Sequence, residues 1–578
     1  MRSSAALPLL LLSAAACGSP TPPRDASPPR ADAHRDAAPA EDAGQDATMD
    51  RAADATAPPG AHFTRIDAGL DYDHWTDSYP PSCYLPNAET CIARLLTAGV
   101  AVRDVDLDGD LDVYVTRMDE YDLLFVNDGT GHFIEATPDG LGEVYLSNGA
   151  AWGDIDNDGY PDLFVTTVGE DRAFLFRNDR RGGFLEVARV RGVAMESPRW
   201  PHTGMSACFG DYDLDGFLDL HTTEWRPYVF DLPTSHNRLF RNRGRLGLGF
   251  FADETERAGV AITDGVRGGA FGFTSHLVDL DADRWPDLPL VADYGATRLF
   301  WSNGDGTFAD GTEHSAVGTE ENGMGSALGD YDGDGDLDWF VSSVFYEGEC
   351  EFERGCPWGH TGNRLYRNDG ERGFTDVTDE AGVRDGGWGW GATFFDYDLD
   401  GDLDLAMTNG VQWPPEDTGF ATDNLRLWRN DGGVFTEVAA ALGIEDRHAG
   451  KALVAADLDG DGDEDLLVTN NLEGASVWRN DASEGRAWLT VQPVGTVSNH
   501  DGFGAVVRVW VTESASPMLR HAGNGCGFLG HTPGTPHFGL GDHETAARVE
   551  VYWPASDQTQ VFTDVPARRV LRVVEPTP

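Results

Sequence analysis

Asp330-Tyr-Asp332-Gly-Asp334-Gly-Asp336-Leu-Asp338 sets carboxylates at positions 1, 3, 5 and 9 of a nine-residue stretch, with glycine at position 6. Four acids at this spacing repel one another strongly unless a cation sits between them. The pattern suits a hard cation with oxygen ligands: side chains at 1, 3, 5 and 9, and the backbone carbonyl of position 7. Glycine at 6 lets the chain turn sharply around the ion. A single copy could be a plain Asp/Gly turn. Seven copies in register are a design. The other six are Asp104-Val-Asp106-Leu-Asp108-Gly-Asp110-Leu-Asp112, Asp154-Ile-Asp156-Asn-Asp158-Gly-Tyr160-Pro-Asp162, Asp211-Tyr-Asp213-Leu-Asp215-Gly-Phe217-Leu-Asp219, Asp279-Leu-Asp281-Ala-Asp283-Arg-Trp285-Pro-Asp287, Asp396-Tyr-Asp398-Leu-Asp400-Gly-Asp402-Leu-Asp404 and Asp457-Leu-Asp459-Gly-Asp461-Gly-Asp463-Glu-Asp465. Up to seven Ca2+ ions are expected. The fourth site is expected to be the weakest, because Arg284 brings a side chain and a positive charge to the position that wants glycine.

Around each loop the same pieces recur. A run of small and apolar residues precedes it, as in Gly149-Ala-Ala-Trp-Gly153, and a β-rich run follows, as in Leu163-Phe-Val-Thr-Thr167. Next comes a segment of the type Leu175-Phe-Arg-Asn178, Leu239-Phe-Arg-Asn242 or Val477-Trp-Arg-Asn480, then a Gly/Asp turn and a short Phe-led strand such as Phe374-Thr-Asp376. Four strands per unit of roughly 50 to 70 residues predict an all-β chain, a seven-bladed β-propeller over residues 61–482. The seventh unit has no Phe-led strand after Asn480. Phe63-Thr-Arg-Ile66, at the other end of the chain, is the missing piece. Its pairing beside 477–480 is expected to close the ring and remove an open sheet edge.

These repeats resemble the FG-GAP/VCBS repeats of integrin α-type propellers, and the resemblance implies calcium in the acidic loops. From about 483 to 578 the chain changes character: the acidic loop disappears and alternation such as Ala505-Val-Val-Arg-Val-Trp-Val511 predicts a small β module. Asn499-His-Asp-Gly502-Phe-Gly504, His537-Phe-Gly-Leu-Gly541 and Val551-Tyr-Trp-Pro554 are similar to the ASPIC/UnbV domain, which follows such a propeller in the cartilage acidic protein family. That resemblance implies an architecture more than an activity.

The chain of 578 residues carries a formal charge of −56. That sign argues against nucleic acid as a partner. Even seven divalent ions would return only about fourteen charges. At the N-terminus Arg2 and the apolar run Leu7 to Leu12 lead to Ser13-Ala-Ala-Ala16-Cys17. This run is too short to span a bilayer and suits a signal peptide, residues 1–17. Small residues before a lone cysteine resemble a bacterial lipoprotein processing site, which makes Cys17 the lipidated residue on an outer membrane or cell surface. Ordinary secretion or a periplasmic location is the alternative. Residues 18–60, rich in Ala, Pro and Asp, read as a disordered tether, so the membrane is reached through the lipid alone. Cys83 with Cys91, and Cys350 with Cys356, are close enough to form disulfides in an exported chain. Cys208 and Cys526 read as buried thiols.

Strand alternation puts the acidic loops and the Asn-Asp-Gly turns on one face, and the remaining connections on the other. Those remaining loops are long and aromatic. Trp200, His202, Trp225, Trp358, His360, Trp388, Trp390 and Trp413 are the candidate ligand contacts, for a glycan or a protein. Packing inside the narrow end of the ring is the competing role for half of them. His202, His360 and His448, each placed just before a first strand, are weak candidates for acid–base work, and no nucleophile motif accompanies them. The expected function is binding or adhesion by a monomer, not catalysis. The alternative is a propeller enzyme acting on polysaccharide.

Overall fold

Each acidic loop is the turn of a hairpin. In the fifth repeat Ser326–Gly329 enters the loop and Asp338–Val341 leaves it, with Gly329 opposite Asp338. Arg364–Asn368 and Phe374–Asp376 complete a four-stranded antiparallel sheet. A computed structural model gives this fold and describes residues 62–577 except 75–94, 119, 142–145, 170–171, 197–201, 226–236, 264–269, 348–358, 412–419, 472, 482–484 and 533. Among the described residues seven sheets follow this plan, and we number them as blades 1 to 7 in the order of their acidic loops. No helix among the described residues is long and apolar enough to cross a membrane.

The small residues ahead of each loop have a steric cause. First strands of neighbouring blades meet backbone to backbone around the axis. A Cβ on Gly99 would lie 1.9 Å from the Asn148 carbonyl oxygen, one on Gly149 2.1 Å from that of Met205, and one on Gly325 1.9 Å from that of Trp390. Hydroxyl groups then stitch blade to blade. Thr116 donates to the Asn148 carbonyl (2.7 Å), Thr166 to Met205 (2.6 Å), Thr223 to Phe273 (2.9 Å), Ser342 to Trp390 (2.6 Å), Thr408 to Lys451 (2.8 Å) and Thr469 to Ala98 (2.6 Å). In blade 4 the equivalent residue is Val291, and Thr274 on the first strand takes over, donating to Met324 at 2.8 Å. The bond from Thr469 to Ala98 joins the last blade to the first.

The seventh blade takes its outer strand from the other end of the chain. Phe63–Ile66 pairs antiparallel with Ser476–Asn480 in the register Phe63 to Asn480 and Ile66 to Val477. Phe63 is buried with Tyr397, Leu442, Ile444 and Trp478. The sequence-based expectation for the ring seam therefore matches the observed pairing.

The C-terminal region is a sandwich of two sheets. His537–Gly541, Ala487–Val494 and Arg569–Val574 form one, and Met518–His521, Val506–Trp510, Thr545–Trp553 and Gln558–Pro566 the other. Leu489, Val491 and Phe538 from the first face Val507, Val549 and Trp553 from the second. This module also reaches into the propeller axis. Gly530–His531 adds a parallel strand to Val100–Arg103 of blade 1. Phe528 stands 5.3 Å from the ring of Trp390 and 5.4 Å from that of Phe273, inside the central apolar cluster.

A disulfide fastens this plug, which corrects the sequence reading of two free thiols. Cys208, on the first strand of blade 3, is bonded to Cys526, 318 residues away, across a Cα separation of 5.5 Å. Nothing local signals that pairing, because the partners meet only after the module docks. Closing so long a loop stabilises the fold by roughly 6 kcal/mol in the chain-entropy account. The expected bonds Cys83–Cys91 and Cys350–Cys356 lie outside the described residues, as does Cys17.

Candidate metal centres and the face opposite them

Two left-handed residues shape every acidic loop. Position 6 has φ between +80° and +107° in all seven copies, including Arg284 at +80°. Position 4 is left-handed as well: Leu107, Asn157, Leu214, Ala282 and Leu399 in five loops, glycine in the other two. That second reversal was not legible in the sequence, since only Gly333 and Gly460 advertise it. Together the two turns fold the carboxylates inward. In six loops the position 6 N–H donates to the carboxylate of position 1, at 2.7–3.2 Å. In the seventh the donor is Gly460, at position 4.

Position 9 does more than close a site. In every loop one of its oxygens accepts the N–H of position 2 at 2.9–3.2 Å. The other accepts an N–H from the third strand, from Asn127, Asn178, Asn242, Ser302, Asn368, Asn430 or Asn480, at 2.7–3.0 Å. Asp112, Asp162, Asp219, Asp287, Asp338, Asp404 and Asp465 thus tie each loop to its blade, and each carboxylate oxygen retains acceptor capacity. The recurring third-strand asparagine has a second task. The amides of Asn242, Asn368, Asn430 and Asn480 donate to the position 2 carbonyl of the preceding blade's loop, and Asn127 does the same to blade 7.

The donor set fits a cation. Carboxylate oxygens of Asp104, Asp106 and Asp108 lie within 4.8 Å of one another, as do those of Asp211, Asp213 and Asp215, of Asp154, Asp156 and Asp162, and of Asp279, Asp281 and Asp287. Buried oxygens of Asp104, Asp156, Asp213 and Asp330 accept no hydrogen bond, which ordinary packing does not tolerate. Burial, with neighbouring carboxylates adding to it, pushes Asp154 and Asp279 up to about 7. Burial likewise pushes Asp338 up to about 9 and raises Asp219, Asp396 and Asp404 well above the carboxylate range. The fourth loop differs from the others in carrying Arg284 at position 6. Arg372 pairs with Asp281 and Asp283, while Arg284 stands over the Trp285 ring at 5.3 Å. Arg241 pairs in the same way with Asp213 and Asp215 of the third loop.

The C-terminal module sits on this acidic face. Gly539 donates to Asp396 at 3.0 Å, His537 Nε2 bonds the Gly462 carbonyl at 3.0 Å, and Asp154 N–H donates to Asp501 at 2.9 Å. Arg103 pairs with Asp501, Arg486 with Asp398, and Arg284 with Asp557 at 3.9 Å. Arg520, half-buried, lies in the joint field of Asp396, Asp330, Glu464 and Asp402.

The opposite face is assembled differently from its sequence reading. Trp390 is only 1% exposed and Trp225 7%. Trp390 donates to the Gly410 carbonyl at 2.7 Å, and Trp225 to Asp293 at 3.0 Å. Both take the packing role. Lys451, the chain's one lysine, is buried against Trp390 with its Nζ 4.2 Å from the ring centre. His202 is buried, bonded to Glu224 and, at 2.7 Å, to the Met195 carbonyl. Trp388 is half-buried and meets Phe420 edge-on at 5.4 Å. His360 is exposed and bonds the Tyr346 carbonyl at 2.7 Å. It precedes the third strand of blade 5, not a first strand as expected. His448 is held by Asp446 at 2.9 Å, which raises its pKa. Trp200, Trp358 and Trp413 lie outside the described residues. Tyr294, on the same face, is 40% exposed with φ +58° and packs edge-on against Phe271 at 4.9 Å. Its left-handed backbone lies in the turn between the second and third strands of blade 4.

Sheet plan, repeat and loop chemistry together define the class: a β-propeller of FG-GAP repeats carrying a C-terminal ASPIC and UnbV domain. The FG-GAP-like repeat family matches residues 104–165, 158–222, 279–341 and 418–468, and the FG-GAP repeat 449–489. The ASPIC and UnbV family matches 495–578. The chain is similar to cartilage acidic protein 1 of Homo sapiens, at 27% identity over 526 residues covering 83% of this chain and 72% of the relative. Its counterpart in Xenopus tropicalis is 25% identical over 524 residues, covering 83% and 73%. Similar solved structures include an Agrocybe aegerita lectin recognising non-reducing terminal N-acetylglucosamine, with TM-score 0.37, 16% identity and coverage of 64% of this chain and 88% of that one. A Bacillus licheniformis rhamnogalacturonan lyase has TM-score 0.33, 12% identity and coverage of 66% and 71%. Likeness at that level says nothing about ligand or chemistry.

Proposed function

We propose that this chain is an exported, membrane-tethered binding protein. Its propeller is stiffened by calcium in the acidic loops, and it takes a glycan or protein ligand on the face opposite them. One observation carries the choice of face: the C-terminal module occupies the acidic side, while among the described residues of the other side Tyr294 and His360 are exposed and Trp388 is half-buried. Aromatic rings with one edge wet and one packed suit the flat faces of sugars and peptide side chains. In the acidic loops the side chains of positions 1, 3, 5 and 9 would hold Ca2+ with the position 7 carbonyl. The ion would supply charge neutralisation and rigidity, not chemistry.

A screen of glycans and protein ligands with and without calcium tests this reading. Trp388→Ala and Tyr294→Ala should each weaken binding at least about tenfold, the scale of an aromatic anchor, while the melting temperature stays near that of the parent. Unchanged affinity in both variants would overturn the assigned face. Turnover of a polysaccharide lost in His202, His360 or His448 variants would favour the enzyme alternative. The tether has its own test. The parent chain should incorporate labelled fatty acid and Cys17→Ser should not, and absence of label in the parent would rule out the lipid anchor.

A further inference from the structure

The seven blades are internal controls for one another, and blade 3 breaks the pattern. Its turn between third and fourth strands runs from Arg243 to Phe250, eight residues, whereas the same turn is Asp128–His132 in blade 1, Asp179–Gly183 in blade 2 and Asp369–Gly373 in blade 5. The extra residues are apolar and outward. Leu246 is 98% exposed, and Leu248 and Phe250 are also exposed. Glycines separate all three. From Arg238 to Ala252 the sequence holds four arginines and no carboxylate, in a chain with 98 acids against 42 bases. Arg243 and Arg245 on this turn, and Arg181 on the neighbouring turn of blade 2, are exposed and make no ion pair among the described residues. The blade 3 turn packs on the short helix of blade 2 that follows the strand after Arg181. Arg191, from the short helix Ala188–Arg191, donates to the Leu248 carbonyl and lies 4.3 Å from the Phe250 ring, and Val190 beside it is exposed.

We propose that this rim of blades 2 and 3 is a docking surface for an anionic lipid bilayer, with Leu246, Leu248 and Phe250 inserting and Arg181, Arg243 and Arg245 meeting headgroup phosphates. Three protruding side chains spaced by glycine offer no groove and too little flat area for a stable protein interface, which needs about 800 Å2 per partner. A bilayer asks only for apolar tips ringed by cations. Where the chain leaves the structure fits the same occupant. Phe63 opens an outer strand opposite Asn480, so the chain enters the propeller on the acidic-loop face, the face on which the blade 3 turn also lies. Residues 18–62 reach at most roughly 150 Å when extended, so an anchor at Cys17 leaves this rim within range of the membrane. The contact adds a second membrane attachment to the proposed lipid. It does not depend on that lipid, because the test removes it.

The test uses the full chain carrying Cys17→Ser, and its partition onto vesicles of phosphatidylcholine with phosphatidylglycerol, compared with phosphatidylcholine alone. Partition onto the anionic vesicles should exceed that onto neutral ones. It should fall roughly fivefold per arginine in Arg243→Ser/Arg245→Ser, and tenfold or more in Leu246→Asp/Leu248→Asp. Any binding through residues 7–12 is common to parent and variants, so the ratio between them is the readout. All substituted side chains are exposed, and unchanged melting will confirm intact folds. Equal partition of parent and variants would overturn the proposal. So would variants that keep vesicle binding but lose binding to polyglutamate, which would assign the rim to an acidic macromolecule instead.

Discussion

Stripping calcium from the purified chain should lower its melting temperature by roughly 8–16 °C. A ligand that binds only the folded state stabilises it by about 1.4–2.7 kcal/mol per site when its concentration exceeds Kd ten- to a hundredfold. Affinities of about 10⁻⁴ to 10⁻³ M, those of extracellular calcium modules, put calcium at about 10 mM in that regime. Six loops that keep glycine at position 6 would then contribute roughly 8–16 kcal/mol. With an unfolding entropy of about 2.1 cal/mol/K per residue over roughly 500 ordered residues, each kcal/mol moves the melt by about one degree. The effect should be uneven around the ring. Asp330→Asn should remove one ion and its share of stability. Asp279→Asn should change little, because Arg284 stands where the other six loops have glycine and brings a positive charge to the fourth loop. Docking of the C-terminal module should weaken in parallel, since Gly539, Asp501 and Arg486 bond directly to loop residues. A melt unchanged after elemental analysis shows the metal gone would refute the calcium reading.

The second large effect concerns the seam. Removing residues 1–60 should leave the melt as it is, whereas removing 1–70 should abolish cooperative unfolding. The longer deletion strips blade 7 of Phe63–Ile66 and exposes the edge of Ser476–Asn480. It also empties the positions of Ala68, Ile66 and Leu70, which pack in or against the central cluster. Phe63 alone is worth about 3–5 kcal/mol, the usual loss on truncating a buried phenylalanine to alanine. Phe63→Ala in the full chain keeps the paired strand and should therefore lower the melt by only about 3–5 °C with unfolding still cooperative. Identical melting of the two truncations would show that the ring does not depend on this strand.

How much of this was legible in advance follows from the range of each interaction. A nine-residue carboxylate pattern is local, so Asp330 to Asp338 and its six copies could be read directly, as could the four-strand unit around them. Counting the Phe-led strands even placed Phe63 against Asn480, since a missing repeat piece leaves a gap that any reader of the period can see. Other features are written in the sequence but mean nothing until blades are adjacent. The hydroxyl four residues after the final loop aspartate in six of the seven blades, Thr116, Thr166, Thr223, Ser342, Thr408 and Thr469, is such a case. So are the left-handed leucines at position 4, which only a closed loop with both reversals explains. What the tertiary structure alone decided is where non-repeating parts land. Cys208 and Cys526 looked like isolated thiols because 318 residues separate them, and only the plug around Phe528 brings their Cα atoms to 5.5 Å. Trp225 and Trp390 looked like a binding surface because aromatic residues in long loops are ambiguous between burial and exposure. The inserted module settles their environment by filling the axis, so rings that the sequence offers to solvent are spent on packing, and Trp388 and Tyr294 remain at the surface.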